Sequence, residues 1–182
     1  MKKYIRNARI ASIVITGMML LSPLEMRSQN TELTSVERDT LIAAAKEIME
    51  ATPYCALITL DESGHPHART MDPFLPEEDM VVWFGTNIHS RKVREIGNDP
   101  RVTLYYEAPN GTGYVVIQGM ASMVNDPEKL ETYWKEAWDN FYPDRNSTYA
   151  LIKVIPKKLE IIDYRHHITG STKTWAAPQI DF

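Results

Sequence analysis

One cysteine, Cys55, is all that the sequence of 182 residues holds, so no intramolecular disulfide framework is open to it. It lies in the apolar run Cys55-Ala56-Leu57-Ile58 and reads as a buried, inert thiol. Neither G-x-G-x-x-G nor G-x-x-x-x-G-K-S/T occurs, and strands do not alternate with helices as βαβ units require. Doubly wound nucleotide folds are therefore not expected. There is no G-x-S-x-G and no Ser-His-Asp order, which leaves hydrolase chemistry without support. His166 and His167 are adjacent, a poor spacing for two ligands of one metal, and no Cys or carboxylate pattern supports them. No metal is expected. Internal repeats and low-complexity stretches are also missing.

What is present points to one globular domain. Length allows a single real core but not two comfortable ones, and a hydrophobic fraction of 43% with 24% charged residues is ordinary. The first thirty residues stand apart. Lys2, Lys3, Arg6 and Arg9 precede an uncharged, mostly apolar run from Ile10 to Leu21, then Ser22-Pro23. That run is too short to span a bilayer comfortably and has the layout of a secretory signal peptide. We expect residues 1–29 to be the signal and 30–182 the domain, exported to a bacterial periplasm; an uncleaved anchor is the alternative. Removing residues 1–28 takes five basic residues and one acid from the 20 and 24, leaving a formal net charge of −8. A chain this acidic is a poor general binder of nucleic acid or anionic lipid. Arg91, Lys92 and Arg94 are a local exception to that field.

Those cations sit in the most informative stretch, Met80 to Asn98. Met80-Val81-Val82-Trp83-Phe84 reads as a buried strand, Gly85-Thr86-Asn87 as a turn, and His89 onward as a helix. Val93 and Ile96 would share the helix's buried face, with Arg91, Lys92, Arg94 and Glu95 left to solvent or a ligand. Cations at a helix N-terminus are unfavourable for the helix itself, but they suit a phosphate seated on its free N–H groups. Ser90 would add a hydroxyl.

Around this stretch the pattern is mainly β. Thr34 and Glu37 form a capping box that opens a helix running to Ala51-Thr52, where Pro53 stops it. Strands are expected at Tyr54–Leu60, His67–Phe74, Arg101–Glu107, Tyr114–Val124, Tyr149–Ile155 and Leu159–Tyr164, the last two divided by Pro156. A second helix starts at Asp126-Pro127 and carries Leu130, Tyr133, Trp134, Ala137 and Trp138 on one face. The tail from Arg165 has no period. The economical fold is mainly β with inserted helices (α+β), an antiparallel barrel closed on itself.

The element order and the segments His67-Ala68-Arg69-Thr70-Met71, Trp83-Phe84-Gly85-Thr86-Asn87, Ser90-Arg91-Lys92-Val93, Asn98-Asp99-Pro100-Arg101-Val102 and Gly113-Tyr114-Val115 through Gly119 resemble the pyridoxamine 5'-phosphate oxidase-like flavin-binding split barrels, and within them the general stress protein subgroup. The resemblance covers about residues 36 to 164. It implies FMN held at a homodimer interface, with Arg69 and Lys92 on the phosphate and Ser90 and Arg91 in the same cradle. Arg69, Thr70 and Met71 would run beside the isoalloxazine ring, and Gly85 and Thr86 would complete the strand end near it. His67, two before Arg69, is the one histidine placed to face a ligand. Trp175, isolated among small and polar residues, suits a flavin edge or a neighbouring subunit.

Departures limit the substrate. Phe74 stands where the oxidases carry a Lys, the tail reads Thr174-Trp175-Ala176 in place of an Arg-x-His motif, and Tyr114 replaces a Gln near the flavin. A pyridoxal substrate is not assigned. Two classes follow: an FMN oxidoreductase acting on an unidentified small molecule, or a carrier or sensor that binds a flavin or phosphate ligand with little turnover. A heme or deazaflavin binder on the same barrel is a third. No acid or base over the ring is identified.

Overall fold

The structure, a computed structural model, describes residues 34–182; the expected signal peptide lies outside the described residues. Helix α1 (Ser35–Ala51) opens as its sequence dictates. The Thr34 hydroxyl accepts from the Glu37 N–H while the Glu37 side chain accepts from the Thr34 N–H. Leu41, Ala44, Ala45, Ile48 and Met49 form its buried stripe, and Thr52 ends it before Pro53.

Seven strands make one antiparallel sheet: β1 (Cys55–Leu60), β2 (Pro66–Met71), β3 (Val82–Asn87), β4 (Arg101–Glu107), β5 (Gly113–Val124), β6 (Tyr149–Asp163) and β7 (Gln179–Asp181). The order is β2-β1-β4-β5-β6-β3, with β7 on β6. Strands β2 and β3 are successive in the chain yet lie at opposite ends of this path. The sheet curls until a bridge from Pro73 to Phe84 joins those ends, with the Phe74 N–H donating to the Trp83 carbonyl at 2.9 Å. This is the antiparallel split barrel. Alternation fills it: Leu57, Leu104, Tyr106, Val115, Ile117, Leu159 and Ile161 point inward and α1 covers them.

Three expectations are corrected. Gly85-Thr86-Asn87 is not the turn but the end of β3, paired with Leu151, Ala150 and Tyr149; the chain turns at Ile88 and His89 instead. Residues 149–163 form one continuous strand through Pro156. The proline is absorbed by a bulge, since Gln118 pairs with Lys158 and Gly119 with Pro156, and a bulge is where a strand tolerates a residue without an N–H. Gly119 is needed there, because a Cβ would stand 2.7 Å from the Ile155 carbonyl oxygen.

The second helix is also shorter than its aromatic spacing suggests. Helix α3 (Pro127–Thr132) is capped by Asp126, whose carboxylate accepts from Glu128 and Lys129 N–H. The chain leaves helical geometry at Tyr133 and resumes as a single turn at Glu136–Trp138. Packing explains the break: Tyr133 stacks on Trp83 at 4.6 Å, and Trp134 and Trp138 meet Tyr149 and Tyr142. Burying these rings outweighs a helix propensity worth at most a few tenths of a kcal/mol per residue, by roughly the 0.5–1.5 kcal/mol of each aromatic pair. A short helix, α4 (Arg145–Thr148), and β7 in the tail were not foreseen. Among the described residues no helix is long and apolar enough to cross a membrane.

Candidate functional site

Helix α2 (Arg91–Asn98) follows β3 after the tight turn, with Ser90 as its N-cap. The Ser90 side chain makes no capping hydrogen bond. It lies 3.3 Å from the Thr86 hydroxyl, which accepts from the Lys92 ammonium at 2.9 Å. The β-strand period turns Thr86 to the inner side of β3, while the side-chain face of Gly85 is closed by Trp138 and Tyr149. A Cβ there would fall 2.3 Å from the Trp138 ring.

Glu95 organises the cluster. It was expected on the solvent face of α2, yet it is only 3% exposed. Val93, expected to be buried, is half-buried. Four groups reach the Glu95 carboxylate. Oε2 accepts from the Thr59 hydroxyl at 2.5 Å and from Arg69 at 2.9 Å. Oε1 lies 2.6 Å from His67 Nδ1 and 3.1 Å from Arg91 Nε. Arg69 also donates to the Thr59 hydroxyl at 2.6 Å and to the Leu57 carbonyl at 3.3 Å. The alternation of β2 places His67 and Arg69 on this side and Ala68 and Thr70 on the exposed one. On its other edge, His67 Nε2 lies 3.8 Å from Asp61.

Electrostatics follow from this crowding. Burial pushes the Glu95 carboxyl upward, but hydrogen bonds from Thr59 and His67 and the Arg69 charge outweigh it and hold it down at about 2. Lys92 is lowered by burial first and by the nearby Arg69 charge second, with Glu95 opposing. Burial likewise lowers Arg69, opposed by Glu95 and reinforced by Arg91. Three cations, Arg69, Arg91 and Lys92, therefore gather around the Glu95 carboxylate, a surplus of two positive charges among these four groups inside an acidic chain.

Of the residues expected at the site, Arg69, Thr86, Ser90, Arg91 and Lys92 come together. Thr70 faces outward from β2, Met71 is buried in the core, and Trp175 stands 86% exposed in a tail turn. Sequence reasoning missed Glu95 and Thr59. The one usable signal was the position of Glu95 beside buried Ile96 and three residues after Lys92. Phe74, at the place of the oxidases' Lys, packs edge-on against Tyr133 and Trp138 with Lys135 4.8 Å above its ring. Tyr114 stacks on Tyr105 at 6.0 Å. A cavity of about 300 Å³ touches the cluster through His67, Arg91 and Glu95; a second of the same size, beside Asp72, Phe74 and Tyr106, does not.

A curled antiparallel split barrel with a cation cluster at the start of α2 defines a class, and comparison with known proteins gives its name. Residues 41–173 match the family model described as pyridoxamine 5'-phosphate oxidase like, and the chain belongs to that family. No curated protein matches it. Among solved structures, general stress protein 26 of Bacillus anthracis is 22% identical with a TM-score of 0.62, over 78% of this chain and 98% of that one. An FMN-binding, pyridoxamine 5'-phosphate oxidase-related protein of Nostoc punctiforme is 15% identical with a TM-score of 0.55, over 83% and 98%. A heme-binding protein of Mycobacterium smegmatis is 18% identical with a TM-score of 0.52, over 65% and 52%. At these identities the likeness is one of fold.

Proposed function

We propose that the protein binds FMN by its phosphate and serves as a flavin-dependent oxidoreductase for a small molecule. The charge surplus carries this reading: Arg69 from β2 and Arg91 and Lys92 from α2 converge, with one carboxylate among them. A phosphate monoester brings roughly −1.5 to −2 charges at neutral pH, which matches the surplus of two. Charge-assisted donors, a Ser90 hydroxyl not used in capping and the N-terminus of an eight-residue helix suit such a dianion. FMN, when bound, supplies the redox chemistry. The chain's own residues hold the phosphate, fix the guanidinium planes and keep the barrel end closed behind them.

The same reading includes a homodimer. Tyr105, Met120 and Ile155 leave large apolar side chains exposed on the outer sheet face, a surface that a second copy would cover. Export through residues 1–29 to the periplasm is a further part of the proposal, tested by the N-terminus of protein recovered from a periplasmic extract.

The central test is a titration. Purified protein is expected to bind FMN more tightly than riboflavin, because most of the recognition lies in the phosphate. Equal affinity for the two would refute the cradle. The absorption spectrum of protein purified without added cofactor separates the alternatives, a flavin's two bands from a heme Soret band. Reduction of bound flavin by candidate donors, followed by steady-state turnover, separates an oxidoreductase from a carrier.

A further inference from the structure

Glu95 poses a physical problem for any anion site. A buried carboxylate beside arginines that receive a phosphate should, by Coulomb's law alone, repel the ligand. It is nevertheless the most heavily contacted side chain of the cluster, tied to Thr59 of β1, His67 and Arg69 of β2 and Arg91 of its own helix. We infer that Glu95 is the positioning residue of the cradle, fixing Arg69 and Arg91 in the orientation that receives a phosphate. This rests on the reading that the cradle takes the FMN phosphate.

The donor count supports it. A guanidinium has five N–H donors. Leu57, Thr59 and Glu95 engage three of those on Arg69, so its plane is fixed and two remain for a ligand. Arg91 is different, since its side chain is 56% exposed and its one anchor is Nε on Glu95. That anchor leaves both terminal nitrogens without a partner among the described residues and restrains an otherwise solvent-exposed side chain. Without it, Arg69, Arg91 and Lys92 are like charges that push one another apart. Glu95 is itself immobilised, because Thr59 and His67 hold its two oxygens from the sheet. It therefore transmits the rigidity of the barrel to side chains that are otherwise long and free.

Positioning and simple electrostatics predict opposite signs, and this makes the test decisive. Glu95→Gln removes a negative charge next to the anion, so charge alone tightens FMN binding. Positioning predicts the reverse, an FMN dissociation constant raised roughly tenfold with riboflavin binding unchanged. Unchanged or tighter FMN binding by a folded Glu95→Gln protein, checked by its thermal melt, overturns the inference. Arg91→Lys decides the matter even if Glu95→Gln does not fold, because it alters an exposed side chain and keeps the charge. A Lys ammonium is one point charge that can pair with Glu95 or reach the ligand but cannot hold the first with Nε while offering terminal nitrogens to the second, and FMN affinity is expected to fall about threefold; an unchanged affinity overturns the inference. If the unaltered protein does not prefer FMN to riboflavin, the functional reading itself fails and takes this inference with it.

Discussion

Among the described residues two carboxylates are buried, Glu95 and Asp163, and both are held at about 2 by partners that outweigh the upward push of burial: Thr59, His67 and Arg69 for Glu95, Arg165 and His166 for Asp163. Their surroundings nonetheless differ in kind. The Asp163 carboxylate takes its hydrogen-bond partners from the next three residues. It accepts from the Arg165 N–H at 2.9 Å and from the Arg165 guanidinium at 3.0 and 2.8 Å, and it lies 2.8 Å from His166 Nδ1. One arginine meets one aspartate, and His166 reaches on to Glu47 of α1 at 3.4 Å. That is a capped turn tying the tail to the body, with its charge balanced. Glu95 draws partners from β1, β2 and α2, and the cations around it outnumber it. The local, balanced cluster serves the fold, whereas the convergent one carries the surplus charge on which the proposed phosphate site rests.

The strongest way to break this comparison is to remove one arginine from each cluster. Arg69→Met leaves Glu95 buried with less compensation and is expected to reduce stability by about 4 kcal/mol and to abolish the preference for FMN. Arg165→Met should destabilise by less, since its guanidinium is partly exposed, and leave FMN binding untouched. Denaturant melts and flavin titrations on the two variants decide this. Loss of FMN binding in Arg165→Met would erase the distinction.

Acid sharpens it next. Both carboxyls titrate lower in the folded chain than their usual values of 4.5 and 3.8. Each contributes stability that is fully present above the usual value and is lost as pH falls toward about 2. The larger shift belongs to Glu95, about 3 kcal/mol against about 2 for Asp163. Glu95→Gln should therefore flatten the acid limb of a stability-versus-pH profile more than Asp163→Asn does. The reverse order would mean that the two clusters are misjudged.

Lys92 offers a smaller but cleaner effect. It is lowered by burial and crowded by Arg69, with Glu95 opposing, and its ammonium donates only to the neutral Thr86 hydroxyl, so the fold gains little from its charge. Lys92→Ala should weaken FMN by on the order of 2 kcal/mol while leaving the melting temperature unchanged or slightly raised. A large loss of stability with normal FMN affinity would turn Lys92 into a structural residue.

These residues also show what a sequence can carry. Arg91 and Lys92, with Ser90 beside them, were legible because cations at a helix N-terminus conflict with helix stability unless an anion is present, whereas Arg69, on a strand, was reached only through the family resemblance. The Thr34–Glu37 cap and the alternation of Val102, Leu104 and Tyr106 are equally local signals, and the structure keeps them. Glu95 was not legible, since its burial depends on Thr59, His67 and Arg69, 36, 28 and 26 residues away. Local pattern made it one more charge on a solvated face. The continuity of β6 through Pro156 failed for a similar reason, because the bulge that accommodates the proline is set by Gly119 on another strand. The break after α3 is likewise decided by Trp83 and Tyr149, not by the helix's own sequence.

The smallest effect on the fold is expected at Trp175, which belongs to neither cluster. Its ring is exposed and its backbone sits in the left-handed region at φ 61°, a conformation that is uncommon for a bulky residue. The turn around it is closed by the Trp175 N–H donating to the Ser171 carbonyl at 2.8 Å and the Ser171 N–H donating to Ala176 at 2.9 Å. Gly170 makes room, since a Cβ there would lie 2.8 Å from the Trp175 carbonyl oxygen. Within one chain, then, the indole contributes little burial and carries some backbone strain. Trp175→Gly should leave stability within about 0.5 kcal/mol or raise it slightly, because glycine relieves that strain. If the ring instead lies against a second subunit or a flavin edge, the same substitution should weaken the dimer in sedimentation and change the flavin fluorescence. Unchanged assembly and fluorescence would make Trp175 an ordinary exposed tail residue, with no part in the site that Arg69 and Lys92 define.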